Sequence, residues 1–99
     1  MKKSKAMVAK NASELATVLG LSVADAAEMQ VRSDLNDKII EIVQKTGLTH
    51  LQVAKLARTS RTRVTAILNR NTQAVSTDLM LRILASLGYR AKITFSRAA

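Results

Sequence analysis

The chain has 99 residues, with 16 Lys and Arg against 7 Asp and Glu, no Cys, no Pro, no Trp and a net charge of +9. A chain this short is expected to build one hydrophobic core. The lack of Cys excludes disulfides and thiolate zinc sites, and the single histidine, His50, excludes a His-rich metal site.

No Gly-x-Ser-x-Gly elbow and no Gly-rich phosphate loop surrounds Gly20, Gly47 or Gly88. The chain is therefore expected to be a binding protein rather than an enzyme, with no cofactor and no metal. No apolar run approaches the roughly 18 residues that a membrane helix needs, and residues 1–10 lack the apolar segment of a signal peptide. A soluble, cytoplasmic protein is expected. Its positive charge calls for a polyanionic partner, with nucleic acid ahead of a membrane surface.

In chain order, Lys2, Lys3, Lys5 and Lys10 mark residues 1–11 as a basic flexible tail, and residues 12–99 are read as a single domain. Ser13 and Glu14 open a short helix that runs to Leu19 and stops at Gly20. Ser22 with Asp25 makes a capping box in which the acid replaces the usual Glu or Gln. From Val23 to about Lys45, Ala27, Val31, Leu35, Ile39, Ile42 and Val43 recur at helical spacing and predict one long amphipathic helix, with Ser33 as an alternative break.

After Gly47, Thr49 and Gln52 form a full capping box for a helix starting at His50. Arg58, Thr59 and Ser60 interrupt it, and Ser60 caps a further helix from Arg61 to about Asn69. Val53, Leu56, Val64 and Ile67 are the predicted shared core of these two helices, with Ala54 small enough to let them approach. Ser76 or Thr77 then opens a fifth helix through Leu79, Met80, Ile83, Leu84 and Leu87, ending at Gly88. Beyond it, Tyr89, Ala91, Ile93 and Phe95 alternate with polar residues, a strand pattern over 89–96. A lone strand is unstable, so this one is expected to pair with its copy in a homodimer. The predicted fold is thus mainly α: five helices and a C-terminal β-strand.

Charge is unevenly placed along these elements. Six of the seven acids precede residue 42, and residues 42–77 contain none, while Lys45, Lys55, Arg58, Arg61, Arg63 and Arg70 all fall in that interval. Two short helices joined by a tight turn, the second rich in Arg and Thr, form a helix-turn-helix, in which the first helix braces the second against the DNA major groove. Arg61 and Arg63 suit bidentate bonds to guanine, and the Thr62 and Thr65 side chains offer a hydroxyl and a methyl. Lys55, Arg58 and Arg70 suit phosphates, which give affinity without sequence information.

The run from Gly47 to Ala54 and that from Val64 to Arg70 resemble the phage-repressor-like (Cro/C1-type, XRE) helix-turn-helix family. Leu19-Gly20-Leu21, the Arg32 to Leu35 step and Leu87-Gly88 before the strand make residues 12–96 similar to its HigA-type antitoxin branch. The resemblance implies a phage-repressor-like domain over residues 12–99, with its helix-turn-helix at about residues 49–70. It implies base contacts from Arg61 and Thr62, with Arg63 and Ala66 on the same exposed side, and backbone contacts at His50, Asn69 and Arg70; Thr49, Lys55, Arg58 and Ser60 are read as further backbone contacts, and Thr65 as a base contact or, as the family's residue there often is, an inward-packed one. It also implies a RelE-like toxin as a protein partner, besides double-stranded DNA and a second copy of the chain. The sequence departs from the family at Arg58, where a turn glycine is usual, and at His50, which replaces a Gln. A stand-alone phage-type regulator without a toxin partner is the alternative, and an RNA-binding module a weaker one, disfavoured because only Tyr89 and Phe95 are available to stack on bases.

Overall fold

The computed structural model describes residues 22–97 and contains four helices among them: α1 (Val23–Thr46), α2 (His50–Ala57), α3 (Arg61–Leu68) and α4 (Thr77–Ser86). The helix expected over Ser13–Leu19, its stop at Gly20 and the basic tail lie outside the described residues. The chain divides into two units, Met1–Asp34 and Leu35–Ala99.

In the first unit, α1 begins as its sequence dictates. The Asp25 N–H donates to Ser22 Oγ at 3.0 Å, and the Ser22 N–H donates back to Asp25 Oδ2 at 3.3 Å, so a shortened acid closes the box. Gln30 donates to Asp34 one turn on, at 2.8 Å. Ser33 does not interrupt the helix. Of the predicted apolar stripe, Ala27 and Val31 are exposed rather than inward-facing.

In the second unit, Leu35, Ile39, Ile42 and Val43 of α1 join Val53, Ala54 and Ala57 of α2, Val64 and Ile67 of α3, and Leu79, Met80, Ile83 and Leu84 of α4 in one core. Its largest fully buried side chains are Ile39, Ile42, Ile67, Met80 and Ile83, each contributing about 1.5–3 kcal/mol by leaving water. Val75, just before α4, is buried with them, a position that sequence pattern alone did not mark. Leu56 is corrected: it is 53% exposed, and Ala57 takes the inward place. The cause is helical geometry, because Ala57 lies three and four residues beyond Ala54 and Val53, whereas Leu56 is rotated about 100° away from it.

Ser76 rather than Thr77 caps α4, its Oγ accepting from the Leu79 N–H at 3.1 Å. Residues 89–97 form no strand, which corrects the expectation for Tyr89, Ala91, Ile93 and Phe95. A strand exists only through a neighbour, and the described residues supply none. Tyr89 instead lies beneath the Lys38 ammonium, 5.9 Å from its ring centre, and Ala91 packs against the core. Ile93 and Phe95 remain 71% and 94% exposed.

Candidate nucleic-acid interface

The pair α2 and α3 is built by its caps. Thr49 Oγ1 accepts from the Gln52 N–H at 3.1 Å while the Thr49 N–H donates to Gln52 Oε1 at 2.8 Å, the reciprocal box predicted for this position. Ser60 Oγ accepts from the Arg63 N–H at 3.1 Å and so fixes the start of α3. Between the two, Arg58 adopts the left-handed conformation, φ 57° and ψ 50°. The Arg58 N–H donates to the Lys55 carbonyl and the Thr59 N–H to the Ala54 carbonyl, closing the end of α2 with a Schellman pair. The departure from a turn glycine is thereby resolved: the arginine accepts the positive φ.

One contact within the motif and one from outside it hold α3, and an exposed ion pair ties α1 to Arg70 just beyond it. His50 Nδ1, at the start of α2, lies 2.8 Å from Thr65 Oγ1 in the middle of α3, and both residues are half-buried. Buried Asn36 of α1 donates from Nδ2 to the Ile67 carbonyl at 2.8 Å. Its neighbour Asp37 accepts from the Arg70 guanidinium at 2.5 Å. Asn36 and Asp37 are the site-supporting residues that sequence reasoning missed. A signal existed, since Asn36 stands three residues before Ile39 and adjacent to Leu35, a polar residue set into an inward stripe.

With Val64 and Ile67 turned into the core, Arg61, Thr62 and Arg63 are left exposed on the first turn of α3. Lys55, Arg58, Asn69 and Arg70 are likewise exposed, as are the capping residues Thr49 and Ser60. Ala66 is half-buried, and the Thr65 hydroxyl is engaged by His50. The arrangement can present cationic forks and a hydroxyl from a rigid helix end. Among the described residues, no group of three or more His, Cys, Asp or Glu is placed to hold an ion. No helix among them is long and apolar enough to cross a membrane.

No curated protein and no solved structure matches the chain. The sequence model of the helix-turn-helix domain does match, over residues 17–96, a span that takes in all four described helices and most of the segment after α4. On that match, and with α2 and α3 capped and braced as described, the chain belongs to the helix-turn-helix domain family of DNA-binding regulators.

Proposed function

We propose that the protein is a sequence-specific transcriptional regulator that acts in the cytoplasm on double-stranded DNA, as a homodimer reading an inverted repeat at its own promoter. The observation that carries this reading is the exposed trio Arg61, Thr62 and Arg63 on the first turn of a helix fixed from α1 and α2. The absence of any acid from residue 42 to residue 77 supports it, since an acid there would repel phosphate. Arg61, Thr62 and Arg63 take the base contacts, with Thr65 and Ala66 at the margin. Thr49, His50, Lys55, Arg58, Ser60, Asn69 and Arg70 take the backbone. The domain so engaged is residues 12–99, with residues 1–11 as a basic tail.

The exposed Ile93 and Phe95 support a dimer in which the segment after Gly88 pairs with its copy, and a two-fold dimer sets half-sites about one helical turn apart. A finer reading makes the chain the antitoxin of a toxin-antitoxin pair, binding a RelE-like toxin through acids of residues 14–41. Four of those acids already hold partners: Asp25 with Ser22, Asp34 with Gln30, Asp37 with Arg70 and Glu41 with Lys38. Being exposed, such contacts are exchanged at little cost. Co-expression with the product of the neighbouring gene tests it, and failure to co-purify leaves a stand-alone regulator.

The main reading is tested by fluorescence anisotropy on duplex DNA from upstream of the gene against a scrambled duplex. A preference of about a thousandfold that survives physiological salt is expected. Arg61→Ala should abolish that preference, whereas Lys55→Ala should weaken both duplexes equally. Equal, salt-labile binding of the wild type to both duplexes would reject sequence-specific regulation, and tighter binding to RNA would favour an RNA-binding module.

A further inference from the structure

Histidine is the side chain whose ordinary titration falls between about pH 5 and 8, and the chain has one. It stands inside the motif, at the start of α2, with Nδ1 2.8 Å from Thr65 Oγ1 on α3. Both residues are half-buried, so the bond is held between the two helices rather than on open surface. It occupies Nδ1 and leaves Nε2 without a partner among the described residues.

The Thr65 hydroxyl can serve the ring in both charge states. To a neutral ring it donates its O–H at Nδ1, which leaves the ring proton on Nε2; from a charged ring it accepts the Nδ1 N–H, and Nε2 again carries a proton. The bond thus survives titration while the Nε2 donor changes in strength, because a hydrogen bond from an ionised donor is roughly twice as strong as a neutral one. A phosphate oxygen only accepts, and beside Nε2 it favours the charged ring. The motif helices carry Lys55, Arg61 and Arg63 and no acid; the chain on either side of α2 adds Lys45 and Arg58, and α4, packed against α2, carries Arg82 and Asp78. No ion pair among the described residues reaches the ring. The anion that would hold its charge is the one DNA brings.

We infer that His50 and Thr65 form a proton-linked brace, in which Thr65 is a positioning residue that aims the ring and His50 takes up a proton as Nε2 meets a DNA phosphate. The protonated form binds better, so affinity rises as pH falls through the range in which histidine titrates. It rises alike on every sequence, because phosphates carry no sequence information. The inference rests on the DNA-binding reading and adds to it a regulation by pH.

The test titrates the full-length wild type, His50→Gln, Thr65→Val, Thr65→Ala and Thr65→Ser on the upstream and scrambled duplexes at about pH 8 and about pH 5.5, on either side of the histidine range. Each titration is repeated across a salt series, and circular dichroism at both pH values shows which variants are folded. The wild type should bind both duplexes about tenfold more tightly at the lower pH, with a log-log salt slope steeper by about 0.9, as one more phosphate is neutralised. His50→Gln keeps a donor that cannot charge, and should show neither the gain nor the steeper slope. Thr65→Val and the better helix former Thr65→Ala lack the hydroxyl and should lose most of the gain, whereas Thr65→Ser should keep it. No gain in the wild type, an equal gain in His50→Gln, a full gain in a folded Thr65→Val or Thr65→Ala, or its loss in Thr65→Ser would overturn the brace and leave the DNA reading intact. A wild type that binds neither duplex at either pH would overturn both.

Discussion

Asn36 is the one buried polar side chain among the described residues, 6% exposed, and its amide reaches 31 residues along the chain to the Ile67 carbonyl. That carbonyl also accepts the Arg70 N–H, so both of its lone pairs are used at the end of α3. Removing the amide leaves a small void and forfeits a bond in a low-dielectric setting. Asn36→Ala is expected to cost about 1–3 kcal/mol, read as a lower urea midpoint at unchanged slope. A loss under about 0.5 kcal/mol would show that the amide only fills space. This residue was only half legible in the sequence. Its place on the inward stripe could be read from spacing, but its acceptor is a backbone carbonyl on another helix, and nothing local in the sequence encodes that pairing. The same holds for His50, whose position at the start of α2 was evident and whose bond to Thr65 was not.

At the level of elements, the caps were the most legible feature, because a cap is a contract between residues three apart. Ser22 with Asp25, Thr49 with Gln52, and Ser60 each stand where their side chains predicted. Packing faces were less legible. Leu56 is the bulkier residue, yet Ala57 holds the buried place, since burial follows angular position and not hydrophobicity. Leu56→Ala should therefore change stability by less than about 1 kcal/mol, whereas Ala57→Leu should cost about 1–3 kcal/mol by overfilling the α2 contact. Thermal melts of the two variants check the ordering, and a reversed order would return Leu56 to the core. The strand over 89–96 failed for a different reason. Alternation specifies which side chains share a face, but the partner that turns a face into a sheet belongs to another segment or another chain.

For the whole molecule, the exposed Ile93 and Phe95 lead to a prediction about mass. The full chain should run as a dimer in sedimentation, and a chain ending at Gly88 should run as a monomer with its helical signal retained, because residues 89–97 are non-helical. A truncated chain that stays dimeric would move the interface to the helices. The four described helices and their order were readable from the sequence because each carries its own start and stop, whereas the number of copies that complete the molecule depends on a surface with no punctuation of its own. The length of α3 bears on that number through information rather than affinity. Arg61–Leu68 spans 8 residues, about 12 Å at roughly 1.5 Å each, close to the width of a major groove. Its exposed first turn has three side chains, enough to spell about three or four base pairs, a word that recurs by chance roughly once in 64 to 256 positions. Against the million or so competing sites of even a small genome such a word is no address, and two copies reading it in tandem multiply its rarity instead of adding to it.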